Sequence, residues 1–459
     1  MSSPRRSTLT AGLIALAVAA SALVAPATAT AATPVIERIA GADRYETAAK
    51  LSAHAFPSAR GGTVFIASGA LYPDALSAAP AAKANNAPVL LTDPAALPSV
   101  VSAELRRLAP TRIVMVGGES AVSAGVATAL RGYAGQVDRI AGADRYETSA
   151  LISQDTFLGT TDAVYLSSGA NFPDALGASA EAARTNVPVL LTSPSDLPAA
   201  TAAEIVRLQP RTVYVTGGTS VVSDGIVARI GSLLSGGVTV KRLGGADRYE
   251  TSALIAADAA TRRPETVYLA SGTAFPDALA AAPASAAVGA PVLLTDPGFL
   301  PQSISKLIDS ADPARLVIVG AEGAVSANVG YQLGAPADDS TRALAMVNAL
   351  RAAGGLYPLK PMPALDSLAK SWSREMGASG YRHNPNVGSQ IPARWRAWGE
   401  NIARSSVNPV NATPEYFVSL WRDSPPHYRN IMSTNFTHVG FGRDSSTGTN
   451  YATQVFAGY

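Results

Sequence analysis

The chain has 459 residues, with 36 Lys+Arg against 34 Asp+Glu and no cysteine. Near-neutral charge excludes a polycationic nucleic-acid binder, so no nucleic-acid partner is expected. The lack of cysteine excludes disulfide staples, thiolate metal sites and cysteine nucleophiles, so several hydrophobic cores must carry the stability.

Arg5 and Arg6 precede an apolar run from Leu9 to Ala25, and Ala27, Ala29 and Ala31 come next with Ala-x-Ala spacing. This is the pattern of a secretory signal peptide over residues 1–31. The run is short for a membrane span, so cleavage near residues 29–32 and a secreted chain with no transmembrane span are expected. The arginine pair reads as an ordinary charged n-region rather than a twin-arginine signal. Without those two arginines the basic and acidic counts are equal.

From residue 34 onward the dominant signal is self-similarity. Gly-Ala-Asp-Arg-Tyr-Glu-Thr occurs three times, with its aspartate at Asp43, Asp144 and Asp247. Pro-Asp-Ala-Leu recurs at 73–76, 173–176 and 276–279, and Pro-Val-Leu-Leu-Thr at 88–92, 188–192 and 291–295. A period of roughly one hundred residues is too long for a solenoid repeat, so each copy should be a small domain or most of one. In the first copy Val64–Ala67, Val89–Thr92 and Ile113–Val116 read as buried parallel strands, and alanine-rich stretches of helical length lie between them. The alternation predicts α/β modules with mainly parallel sheets. Gly69 and Gly117-Gly118 put turns at strand carboxyl ends, a weak locator of ligand sites. There is no glycine-rich phosphate fingerprint, so the repeats do not read as nucleotide enzymes.

Asp43 with Glu46 makes a capping box that opens a helix. Arg44 and Tyr45, which recur as Arg145 and Tyr146 and as Arg248 and Tyr249, are not needed for capping. A core tyrosine and an arginine bracing the next repeat explain them structurally, and this reading is preferred. The alternative is that Arg44, Arg145 and Arg248 bind an anionic polymer through their planar, bidentate guanidinium groups. Asp74, Asp174 and Asp277 come after a proline and precede a helix, which fits capping.

These landmarks resemble the type 2 cell-wall-binding repeat family over residues 34–334. The resemblance implies three modules, 34–134, 135–236 and 237–334, that hold a surface protein noncovalently on an anionic cell-wall polysaccharide. The third copy departs with Gly320-Ala321 where the others have paired glycines. Val35–Ile39, like Val137–Ile140 and Val240–Leu243, precedes a motif copy, but no fourth copy comes after the third. The N-terminal strand is therefore expected to complete module three, giving a pseudo-threefold arrangement rather than beads on a string.

A polar, proline-containing linker at 335–340 leads to a segment of different composition. All four tryptophans, and His383, His427 and His438 of the four histidines, lie beyond residue 370. Helices are predicted at Thr341–Ala353, Ala364–Met376 and Pro414 to Arg422, and strands at Val439–Gly442 and Tyr451–Phe456, which makes an α+β domain. Its landmarks, Tyr381-Arg382-His383-Asn384, Trp398-Gly399-Glu400-Asn401-Ile402-Ala403, Trp421 through Met432 and Phe436 through Gly442, resemble the bacterial branch of the CAP (cysteine-rich secretory, SCP-like) superfamily over 341–459. The resemblance implies an α-β-α sandwich in which His383, Glu400 and His427 converge in a cleft that can hold a divalent metal such as zinc. The family's second acid has no clear counterpart, with Asp423 and Glu415 nearest. His438 and the tryptophans read as packing residues. The expected whole is a wall-anchored surface protein whose C-terminal domain binds a small molecule, lipid or protein. The alternative is a metal-dependent wall hydrolase with Glu400 as general base. The segment Phe456–Tyr459 is no hydrophobic stop-transfer sequence, so anchoring is expected through the repeats.

Overall fold

In the computed structural model the described residues are 34–58, 60–234, 237–258, 263–335 and 337–459, and the expected signal segment lies outside them. Short runs of branched residues form strands that are buried on both faces, as a parallel sheet covered by helices requires. The first sheet runs Val89–Thr92, Thr63–Ser68, Arg112–Val116, Gln136–Ile140, all parallel. Its last strand comes from beyond the sequence boundary at residue 134. The second sheet repeats this order, with Thr239–Leu243 at its edge.

In the third sheet the edge position is filled from the other end of the chain. Val35–Ile39 pairs in parallel with Arg315–Val319, in register from Val35 opposite Arg315 to Ile39 opposite Val319. The three repeats thus close on one another. At the centre the alanine-rich helices Ala78–Ala84, Pro173–Thr185 and Phe275–Ala287 touch pairwise. Their small side chains permit that approach, and one apolar core runs through all three modules. Tyr72, Phe172 and Phe275 meet there, with ring centroids 5.4, 5.7 and 6.1 Å apart. A separate outer core fills each module behind its sheet.

The C-terminal domain has a mixed sheet in the order Lys360–Pro361, His438–Asp444, Asn450–Gly458, Ala397–Ser405. Helices Asp339–Ala353 and Pro363–Ser379 and the pair Pro414–Arg422 and Pro425–Ile431 pack on it. It docks on module three, where helix Ala327–Gln332 meets Asp339–Ala353. Arg342 clamps Glu415 with Nε to Oε1 at 2.8 Å and a second nitrogen to Oε2 at 2.6 Å. No helix among the described residues is long and apolar enough to cross a membrane.

Candidate functional site

At each module junction the repeated motif residues meet. Asp43 caps helix Arg44–Ala55 by accepting the N–H groups of Tyr45 and Glu46, and Glu46 reaches back to the N–H of Ala42. Asp144 and Asp247 do the same. The arginines turn the other way. Arg44 donates to the carbonyl of Gly69 at 2.5 Å, Arg145 to that of Gly169 at 2.5 Å and Arg248 to that of Gly272 at 2.8 Å. The tyrosines lie half-buried against the shared core.

Asp74, Asp174 and Asp277 sit inside the first helical turn and make no capping bond, which corrects the capping expectation. Each is largely buried and faces the arginine of a neighbouring module, Asp74 that of Arg145, Asp174 that of Arg248 and Asp277 that of Arg44. Burial raises all three carboxyls above their ordinary range, and the facing guanidinium only partly offsets this. Asp74 also packs on Gly117, at φ +97°, where a Cβ would fall 2.6 Å from its Oδ2. Gly217 and Gly320 hold the equivalent turns. At Gly118 a Cβ meets nothing within 4 Å, so Ala321 in the third copy is accommodated without adjustment.

A second set of arginines had no place in the sequence-based expectations. Arg38 donates to the carbonyls of Gly320 and Val325, both at 2.8 Å, and Arg139 to those of Gly117 and Val122, both at 2.7 Å. Arg242 reaches Gly217 at 2.9 Å. Recurrence one residue before Ile39, Ile140 and Leu243 was the available signal.

In the C-terminal domain Glu400 stands on the strand Ala397–Ser405, two residues from Trp398 and hence on the same face. Its Oε2 lies 2.6 Å from Nδ1 of His383 and accepts the N–H of Asn384 at 3.1 Å. Its Oε1 is buried without a hydrogen-bond partner among the described residues. Burial raises the Glu400 carboxyl, opposed by these two hydrogen bonds. His427, on helix Pro425–Ile431, has its carbonyl fixed by Asn401 Nδ2 at 3.1 Å and its Nδ1 against Ser424 Oγ at 2.8 Å. Burial, and then the charge of His383, lower its pKa.

Neither candidate for a second acid enters this cleft. Glu415 is held by Arg342, and Asp423 is exposed and paired with Arg422. Among the described residues no group of three or more His, Asp or Glu is disposed to hold a metal ion. The set does not fit the expected zinc centre. What stands there is a carboxylate and imidazole pair with a buried acceptor.

His438 packs edge-on against Tyr459 at a strand start, as expected. Trp421 is buried and donates to the carbonyl of Ile402 at 3.1 Å. Trp398 departs from the packing expectation, with 44% of its surface exposed beside the cleft.

The sequence matches the cell wall binding domain 2 family (CWB2) over residues 38–127, 139–227 and 242–330. The chain belongs to the cell wall binding domain 2 family. Residues 344–456 match the cysteine-rich secretory protein family, CAP. Each CWB2 match omits most of the strand that opens its copy, which is the strand exchanged around the ring.

The N-acetylmuramoyl-L-alanine amidase LytC of Bacillus subtilis is 30% identical over 301 residues, 66% of this chain and 58% of that protein. The Amidase enhancer of the same organism is 30% identical over 295 residues, 64% of this chain and 39% of its own length. Among solved structures, Cwp8 from Clostridium difficile superposes with a TM-score of 0.60 at 27% identity, covering 65% of this chain and 51% of that one. The chain thus spans about half the length of such relatives. Cwp6 from the same organism, at 20% identity, shares the fold with a TM-score of 0.63 over 81% of this chain and 65% of its own.

Proposed function

We propose that this is an exported surface protein, held noncovalently on an anionic cell-wall polysaccharide by its three CWB2 modules, which displays the CAP domain as a ligand-binding head. The observation that carries the reading is the ring itself, with three equivalent junctions that each present an arginine. The bond to a glycine carbonyl uses one guanidinium nitrogen of Arg44, Arg145 or Arg248. The other N–H groups of each guanidinium offer the planar fork that carboxylate and phosphate prefer. The packing of helix Ala327–Gln332 on Asp339–Ala353, with Tyr331 Oη donating to Glu415 Oε1 at 3.5 Å, supports a fixed mounting of the head on module three.

The test is cosedimentation of residues 33–459 with isolated walls. Pelleting is expected, with release as salt rises, because phosphate-rich partners bind largely through screened charge. Equal pelleting with walls stripped of anionic polymer would reject the mechanism.

The buried Oε1 of Glu400, beside the exposed indole of Trp398, supports binding of a hydrogen-bond donor in the CAP cleft. The His383 and Glu400 pair favours a second reading, acid and base catalysis on wall material, in which a buried carboxylate orients the imidazole. Turnover of wall fragments by the wild type that disappears in Glu400→Gln supports catalysis. No turnover by either leaves the binding reading.

A further inference from the structure

Modules one and two share a buried polar network that module three replaces with a cavity. In module one Glu104 is 6% exposed and accepts Ser52 Oγ at 2.5 Å, while Arg107 clamps it at 2.7 and 2.6 Å and reaches the carbonyl of Phe56 at 3.0 Å. In module two Ser153, Glu204 and Arg207 repeat the arrangement, with Arg207 on the carbonyl of Phe157. The helix Ser99–Leu108 corresponds to Gln302–Ala311. That correspondence puts Leu307 at the glutamate position and Ser310 at the arginine position, and Ala256 stands for the serine. All three polar partners are gone together.

A cavity of about 360 Å³ opens there, within the range of roughly 300 to 1,000 Å³ typical of ligand pockets. Ala256, Val267, Leu293, Leu307 and Ile308 line it, and Arg263 is the only charged side chain among the described residues of its wall. Among its described residues the wall is mainly aliphatic and carries no aromatic ring, which suits a flexible chain better than a flat ligand. A guanidinium at an apolar wall selects a carboxylate or phosphate at the end of that chain.

We propose that module three carries a pocket for one aliphatic chain bearing an anionic head, a role that modules one and two have closed off with their buried Ser–Glu–Arg networks. The site lies behind the sheet, apart from the junction arginines and the CAP cleft, so it stands independently of both wall attachment and the cleft's chemistry.

The test uses residues 33–459 and calorimetric titration with dodecanoate, dodecyl phosphate and dodecanol, all below their aggregation limits. One site per chain is expected for the two anions. Dodecanol should bind about tenfold more weakly, the scale of one charge-assisted hydrogen bond. Arg263→Gln should erase that preference. The triple variant Ala256→Ser, Leu307→Glu, Ser310→Arg rebuilds the network that the sister modules already accommodate, and it should abolish binding while the other modules and the CAP domain stay folded.

Flotation with vesicles of an anionic phospholipid separates the sources. Flotation by the wild type that is lost in the triple variant assigns the chain to a bilayer lipid, and titration without flotation assigns it to a free amphiphile. Binding of all three compounds that is unchanged in the triple variant, or no binding by the wild type, overturns the proposal. Should the triple variant unfold, dodecanol binding as tightly as dodecanoate together with an unaffected Arg263→Gln still overturns it.

Discussion

Ile39→Ala tests closure of the ring at a point remote in sequence from its effect. Ile39 is 7% exposed, ends the strand that pairs with Arg315–Val319, and belongs to the core shared by the modules. The substitution removes three carbons, worth roughly 0.8 kcal/mol each in lost burial, and leaves a cavity that the paired strand cannot fill. The expected loss is about 3 kcal/mol, equivalent to roughly a hundredfold in an opening equilibrium. Native-state hydrogen exchange reads where that loss falls. Amides of Thr266–Ser271 and Arg315–Val319 should lose protection, while those of Ala397–Ser405 and Asn450–Gly458 keep theirs. Loss confined to the residues around 39, with Arg315–Val319 unchanged, would refute the argument that this strand completes module three.

Glu104→Ala leaves Arg107 without its carboxylate partner beside a buried serine. Arg107 is one-third exposed and keeps the Phe56 carbonyl, so the cost should be about 2 kcal/mol rather than the roughly 3–5 kcal/mol of a fully buried broken pair, measured by chemical denaturation. Asp366 is partly buried near Phe441, whose N–H it accepts, and that burial pushes its pKa up from 3.8 to about 6. A carboxyl with a raised folded pKa contributes stability that is full below its ordinary value and is lost as pH rises through about 6. Asp366→Asn should therefore exceed the wild type by about 2 kcal/mol at pH ~7.5 and match it near pH ~4, and a pH-independent difference would contradict the assignment.

The repeat landmarks made the three modules legible because each marks a local structural necessity. The capping box at Asp43 and Glu46 and the apolar run Val89–Thr92 behave as their residue types require. Closure was legible too, since the absence of a fourth opening strand after the third copy leaves its sheet edge vacant, and Val35–Ile39 at the other end has no earlier copy to complete. Asp74 misled because capping is a local reading, whereas its surroundings are set by Arg145 and Gly117, which approach only when the modules assemble.

In the C-terminal domain the strand Ala397–Ser405 gave no period-2 signal. Glu400 and Asn401 lie buried side by side, the one on His383 and Asn384 and the other held by Gln454 and Asn430. Polar residues that satisfy one another inside a core erase the alternation that marks a strand. The family resemblance brought His383 and Glu400 to one place, but it did not show that Glu415 was already committed to Arg342.

Each sheet of the ring takes its edge strand from the next repeat in cyclic order. A fourth repeat would bring its own strand along with its own sheet edge, but admitting it to the ring would part the three helices that touch at the centre. Copy number is a property of the geometry rather than of gene duplication alone. Greater wall-binding capacity calls for a second ring, not a larger one.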